Sequence, residues 1–272
     1  MIQVVATDLD RTLIPNGKQE YDNSMVFFKK IIKRHKLKLV YITGRDFGLV
    51  KKAIKKYSLP TPDYLICDVG ASIFLVKNSL EKLERDKGWI EGMKKNTPGW
   101  NIEKFKKSLK NIKGIKLQED SKQSKYKLSY YFEIGYEKEI LKNVKKRIKE
   151  ICPDSEIVYS EDYPEKRGLL DILPKIATKK GALDYLVKKM KLKKEEVLFC
   201  GDSGNDYSLF ISDYNAVVVR NASLDIKKKV KEERKKKGNL DRLYIAKNKK
   251  KQGLNGNYVS GIIQGLEYFG IR

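Results

Sequence analysis

The stretch VVATDLDRTL, residues 4–13, decides how the chain is read. An apolar run suited to a buried strand ends in two carboxylates, Asp8 and Asp10, separated only by Leu9. Like charges this close oppose each other's ionisation, so a pair delivered to one spot calls for a compensating metal or substrate. Spaced two apart along an extended segment, the two side chains point the same way.

Outward from this strand, the first third of the chain repeats one pattern. Residues 2–8 read as the first strand, KLVYIT (38–43) as the second and YLICD (64–68) as the third. Between them Met25, Phe28, Ile31 and Ile32, then Phe47, Val50, Ile54 and Tyr57, recur at helical spacing. Short continuous apolar strands alternating with amphipathic helices predict an α/β fold with a parallel, Rossmann-like sheet. The last third resumes the pattern. Thr178 is placed to cap a helix carrying Ala182, Leu183, Leu186 and Met190. Strands follow at 196–202 and 215–219, an edge strand at 243–246, and a closing helix at about 257–269 with Val259, Ile262 and Leu266 on one face.

The middle reads differently. Residues 77–166 are lysine-rich and are expected to form an inserted α/β cap, with residues 1–76 and 167–272 forming the core. Asn101 is placed to cap a helix bearing Ile102, Phe105, Leu109 and Ile112, with Gly114 as its stop. YKLSYYFEI (126–134) alternates Tyr126, Leu128, Tyr130, Phe132 and Ile134 with Lys127, Ser129, Tyr131 and Glu133. Period two with one polar face predicts an antiparallel sheet covered on one side, with residues 140–151 as a covering helix. The polar face would then be open to a ligand. Gln123, Lys127 and Tyr131 offer the donors, acceptors and flat aromatic surface that a hydroxyl-rich ligand needs; an exposed polar sheet face is the alternative.

Composition narrows the chemistry. The 272 residues suit one large domain or a core plus an inserted unit. No apolar run has transmembrane length, and the N-terminus does not read as a signal peptide, so a cytoplasmic protein without membrane association is expected. Cys67, Cys152 and Cys200 are odd in number and far apart, against both a disulfide framework and a zinc site. The single histidine, His35, lies in a lysine-rich helical stretch, which leaves a Ser-His-Asp triad without support. The net charge of +24, from 59 basic against 35 acidic residues, favours anionic partners. The excess is mostly lysine, as in KKKVKEERKKKG (227–238) and KNKKK (247–251), without the arginine and aromatic interleaving of a base reader. A solvated surface that helps steer a phosphorylated small molecule is expected rather than a nucleic-acid interface, and a monomer is expected.

In a parallel α/β sheet, ligands bind beyond the carboxyl ends of the strands. Four such ends here carry polar residues: TDLDRT, TGRD, CDVG and GDSGND. Asp8, Asp10, Thr43, Gly44, Asp202, Asn205 and Asp206 would converge on one crevice. Four carboxylates together need a cation, and an all-oxygen donor set selects magnesium over zinc.

These residues also carry a family resemblance. DLDRT, YITGRD, TKKG and GDSGND resemble, in order, the four motifs of the haloacid dehalogenase superfamily of phosphohydrolases, and the insertion between the second and third resembles its α/β cap type. LQEDSKQSKYKLSYY, LLDILPKIATKKGALDYL, GDSGNDYSLF, VVVRNAS and VSGIIQGLEYFG are similar to bacterial and plant sucrose-6-phosphate phosphatases. Arg11 and Leu13 depart from that pattern, standing where those enzymes carry a small polar residue and a tryptophan. The resemblance implies Asp8 as nucleophile and Asp10 as general acid and base. It implies Mg2+ held by Asp8, the Asp10 carbonyl and Asp202, with Asp206 orienting its waters. Thr43, the Gly44 amide, Asn205 and Lys180 (rather than its neighbour Lys179) would hold the phosphoryl oxygens. Arg45 either touches substrate or pairs with Asp46, and Arg11 either attracts the phosphate or points away. Sucrose 6-phosphate is the implied substrate, with trehalose 6-phosphate, a glycosyl-phosphoglycerate and hexose phosphates as the alternatives.

Overall fold

A computed structural model describes residues 1–15, 23–162, 165–249 and 253–272. Residues 163–164 of the expected cap, and Lys250 and Lys251 of the second lysine run, lie outside the described residues. The larger sheet has eight strands, in the order β12-β11-β10-β1-β2-β3-β4-β5. Its parallel part comprises β1 (Val4–Thr7), β2 (Lys38–Ile42), β3 (Tyr64–Cys67), β10 (Val197–Gly201), β11 (Asn215–Val218) and β12 (Leu243–Ile245). β4 (Ser72–Val76) and β5 (Leu83–Arg85) extend it antiparallel.

Alternate residues of these strands feed two apolar layers, which is why the strands read as continuous hydrophobic runs. Val4, Ala6, Val40, Ile42, Ile66, Phe199 and Val218 pack on one face, beneath α6 (Lys179–Lys189), α7 (Tyr207–Phe210), α8 (Leu224–Lys236) and α3 (Lys87–Asn96). Val5, Leu39, Tyr41, Leu65, Leu198, Cys200 and Val217 pack on the other, against α1 (Ser24–Arg34), α2 (Phe47–Lys56) and α9 (Tyr258–Tyr268). α9 is buried from Val259 to Leu266 on all sides rather than along one stripe. Its Gly265 lies so close to the sheet that a Cβ there would sit 2.1 Å from Val217 Cγ2. No helix among the described residues is long and apolar enough to cross a membrane.

The second sheet has four antiparallel strands, ordered β6-β7-β9-β8: β6 (Ile115–Leu117), β7 (Leu128–Phe132), β9 (Arg167–Pro174) and β8 (Ser155–Asp162). Leu128, Tyr130, Phe132, Leu170 and Ile172 pack under α4 (Ile102–Leu109) and α5 (Glu137–Ile151) in a separate core. Asn101 caps α4 through Lys104 N–H, but α4 ends at Leu109; Gly114, at φ +79, serves the turn into β6 instead. Strand membership also shifts the unit borders. Residues 83–85 belong to the larger sheet because β5 pairs with β4, and Arg167–Pro174 belongs to the smaller one because it pairs with both β7 and β8.

One further expectation changes. The polar face of β7 is closed at the end nearest the larger sheet, where Lys127 is 4 % exposed and Ser129 is fully buried. Lys127 Nζ stands 3.8 Å from Asp68 Oδ1, across from the cap to the core, and 3.9 Å from Asp171 Oδ1.

Candidate active site

The Asp8 N–H donates to the Cys200 carbonyl at 2.9 Å, carrying the pairing of β1 and β10 one residue past the strand. The chain then turns tightly: the N–H groups of Leu13 and Ile14 both donate to the Leu9 carbonyl, at 3.0 and 2.9 Å. Leu9 is fully buried, so the apolar layer anchors the turn that presents the two aspartates. Within that turn the Thr12 hydroxyl donates to Asp202 Oδ1 at 3.1 Å and reaches Asp8 Oδ2 at 3.4 Å.

Asp202 and Asp206 arrive from the end of β10. Asp206 folds back so that its Oδ2 accepts the Asp202 N–H at 3.1 Å. Gly201 makes that return possible, since a Cβ there would lie 2.7 Å from Asp206 Oδ2. Asp8, Asp202 and Asp206, all buried, each offer a carboxylate oxygen within 4.8 Å of the others. Three hard anionic oxygens at this separation suit a divalent cation with oxygen coordination. Asp10 is not of this group: Arg45 engages both its oxygens, Nε to Oδ2 at 2.7 Å and one terminal nitrogen to Oδ1 at 2.5 Å. Arg45 therefore pairs with Asp10 and not with Asp46, whose carboxylate caps α2 through the Leu49 N–H.

The lysine that reaches the acid cluster is Lys179, not the expected Lys180. Lys179 is 2 % exposed, and its Nζ donates to Asp8 Oδ1 and Asp206 Oδ1, both at 2.8 Å, and to Asn205 Oδ1 at 3.2 Å. Lys180 turns outward and pairs with Asp184, one helical turn on in α6, at 2.5 Å. The reason is helix phase. Thr178 caps α6 by accepting the Gly181 N–H, which makes Lys179 the first helical residue and aims it into the crevice. The CDVG turn supports this position from below. Gly70, at φ +117, packs against the Thr178 carbonyl so closely that a Cβ would meet its oxygen at 2.4 Å.

Burial and mutual repulsion set the protonation behaviour. Burial first, then Asp206, Asp202 and Asp10, push the Asp8 carboxyl well above the usual range, against the pull of Lys179. Burial and Asp206 push Asp202 up to about 6, although Arg11 and Lys179 draw it down. Burial opposes the Lys179 charge, yet the Asp206 and Asp8 carboxylates outweigh it and hold the ammonium firmly protonated.

The other expected residues divide. Thr43 is buried at the end of β2, and its Oγ1 accepts the Arg45 N–H at 3.1 Å; Gly44 is exposed beside it. The N–H groups of Asp68 and Val69 donate to the Arg45 and Thr43 carbonyls, locking the third strand end onto the second. Both residues take positive φ, 54° and 61°, a costly conformation for valine, held here by those bonds. In the cap, Gln123 is a structural brace: its amide binds the Gln118 and Ser129 carbonyls and accepts the Ser129 N–H. The Tyr131 hydroxyl donates to Glu119 at 2.7 Å, with the Arg167 guanidinium 4.0 Å above its ring. Neither bond reaches the acid cluster. The sequence reading also missed Thr12, whose signal was its place as the last residue of D-x-D-x-T, and the pairing of Arg11 with Asp202 at 3.2 Å.

The family model described as sucrose-6F-phosphate phosphohydrolase matches residues 2–270. A putative HAD-like hydrolase of Nitrosococcus oceani is 34 % identical over 98 % of this chain and 71 % of its own length. A probable sucrose-phosphatase of Arabidopsis thaliana is 34 % identical over 83 % of this chain and 52 % of its own, so the chain spans about half the length of that plant relative. The crystal structure of the Synechocystis sucrose-phosphatase, in complex with sucrose and phosphate, shares the fold with a TM-score of 0.76 at 21 % identity, covering 99 % of this chain and 98 % of that one.

Proposed function

The chain belongs to the sucrose-6F-phosphate phosphohydrolase family, a family of phosphoric monoester hydrolases, and from that premise we propose that it is a magnesium-dependent phosphatase converting sucrose 6-phosphate to sucrose and phosphate. The observation that carries the proposal is the buried Asp8 carboxylate, held by Lys179 and flanked by Asp202 and Asp206 at the carboxyl ends of parallel strands.

Asp8 attacks phosphorus, a carboxylate oxygen–phosphorus bond forming as the bond to the sugar oxygen breaks, which yields an aspartyl phosphate and splits one difficult step into two. Asp10 gives its proton to the departing sugar oxygen and then takes one from the water that attacks the aspartyl phosphate. Arg45 grips both oxygens of the Asp10 carboxylate and fixes its orientation for taking the proton from water; for the acid step it must release one oxygen so that Asp10 can carry the proton it gives. Lys179, the Thr43 hydroxyl, the Gly44 N–H and Asn205 hold the equatorial phosphoryl oxygens, where charge shifts in the transition state. The oxygen donors of Asp8, Asp202 and Asp206, with the Asp10 carbonyl, would hold Mg2+. Bound there, the cation neutralises the carboxylates and clamps the phosphate.

The hydroxyl-binding groups would come from the cap, with Lys127 at the junction of the two sheets. A cap that hydrogen-bonds particular hydroxyls rejects analogues lacking them. The test is a panel of sucrose 6-phosphate, trehalose 6-phosphate, a glycosyl-phosphoglycerate and glucose 6-phosphate, ranked by kcat/KM with Mg2+. Sucrose 6-phosphate is expected to lead by at least about ten-fold. A higher value for any of the others would replace the proposed substrate.

A further inference from the structure

Among the described residues, three cations face the four aspartates, and they are held in different ways. Lys179 is buried and makes two 2.8 Å bonds to carboxylates, so it has nowhere to go. Arg45 grips Asp10 with two nitrogens. Arg11 differs from both. Its backbone is pinned, its side chain is not.

The pinning comes from three sides. Arg11 takes a positive φ of 60°, and its N–H donates to the Ile14 carbonyl at 2.8 Å. Its carbonyl accepts Asn221 Nδ2 at 2.6 Å, while Asn221 Oδ1 accepts the Tyr258 N–H at the start of α9, at 3.0 Å. The position of the Arg11 Cα over the acid cluster is thus set by the turn, by the loop after β11 and by α9 together. The side chain, in contrast, is 45 % exposed and approaches the cluster by a single ion pair, Nε to Asp202 Oδ2 at 3.2 Å. Asp202 itself is 3 % exposed, and its other oxygen takes the Thr12 hydroxyl at 3.1 Å.

Both oxygens of Asp202 are therefore satisfied from within the chain. A divalent cation shared by Asp8, Asp202 and Asp206 draws on the same carboxylate charge, and it repels a guanidinium a few ångströms away. We propose that Arg11 is a built-in counter-ion for Asp202 that competes with the divalent cation, and that cation binding displaces its guanidinium from Asp202 into solvent. The proposal rests on the reading that this acid cluster holds Mg2+. Its consequence is that residue 11 sets the metal affinity of the site: the chain neutralises the buried carboxylate when the cation is away, and yields it when the cation arrives. Arginine suits such exchange, being always charged, long enough to reach in from the rim and free to retreat along a solvated path.

Calorimetric titration of the substrate-free protein with Mg2+, for the wild type, Arg11→Gln and Arg11→Lys, tests the proposal without relying on turnover. Arg11→Gln is expected to bind Mg2+ on the order of ten-fold more tightly, as for removal of a close competing charge, and Arg11→Lys to stay within about three-fold of the wild type. A second readout is thermal melting. Arg11→Gln is expected to melt below the wild type without Mg2+, and to close the gap at saturating Mg2+, because a ligand stabilises by mass action. Equal or weaker Mg2+ binding by Arg11→Gln overturns the proposal while leaving the metal site standing. Failure of the wild type and Arg11→Gln alike to bind Mg2+ overturns the metal reading of the cluster and this proposal with it.

Discussion

Among single side chains, the sharpest contrast is between two neighbouring lysines. Lys179 bridges Asp8 and Asp206, while Lys180 serves a half-exposed pair with Asp184. Lys179→Met is expected to lower kcat/KM for phosphate release by about 100-fold or more, the usual cost of losing one preorganised donor to a developing charge. Lys180→Met is expected to stay within about three-fold of the wild type, since a surface pair of this kind contributes little. Steady-state phosphate-release assays on the two variants decide between them, and a reversed order would restore Lys180 to the site. The acids were legible in the sequence because two carboxylates closing an apolar run repel each other unless a cation or a substrate meets them. The lysine was not, although its Thr178 cap was, because which of two adjacent residues points inward depends on how the start of α6 sits against the CDVG turn, a tertiary contact that no local pattern encodes. Arg11 and Thr12 were hidden for a related reason: their roles arise from a turn in which Arg11 takes positive φ.

The elements show where patterning works and where it fails. The parallel strands, the Thr178 and Asn101 caps and the antiparallel cap sheet follow from periodicity and capping residues. β5 and α3 did not, because a three-residue edge strand flanked by lysines has no recognisable period, and the two anchors of α3, Trp89 and Met93, are lost among charged neighbours. Asp86 adds a polar tie between α3 and α6: it accepts the Trp89 N–H at 3.0 Å, the Tyr185 hydroxyl at 2.8 Å and Lys189 Nζ at 2.6 Å. Burial opposes its ionisation, but these hydrogen bonds outweigh burial and hold the carboxyl below its usual range. A depressed carboxylate stabilises the fold above its unfolded pKa of about 4, and that contribution is lost as the pH falls through the lower, folded value. Asp86→Asn is therefore expected to cost about 1–2 kcal/mol at pH 7, as for loss of a cap and a charged hydrogen bond. The deficit should shrink toward pH 3. Urea denaturation at both pH values measures it, and a deficit that grows on acidification would contradict this role for Asp86.

For the molecule as a whole, the excess positive charge and the joining of two sheets were both expected, but their junction was not. Alternation along 126–134 predicts an open polar face, whereas Lys127 is buried between Asp68 of the core and Asp171 of the cap. Such burial depends on contact between segments about 60 residues apart, Asp68 and Lys127, and no local pattern encodes it. The net charge of +24 acts at longer range. A cationic field raises the encounter rate of a phosphate dianion and is screened by salt, so kcat/KM should fall several-fold between roughly 0.05 and 0.5 M salt while kcat holds steady. An equal loss in kcat would place the salt effect in the site itself. The proposed phosphoryl transfer through Asp8 is tested most directly by phosphate release from sucrose 6-phosphate with Mg2+, measured for the wild type and Asp8→Asn side by side. The wild type is expected to turn over and Asp8→Asn to release no phosphate above background; robust turnover by Asp8→Asn would contradict that proposal.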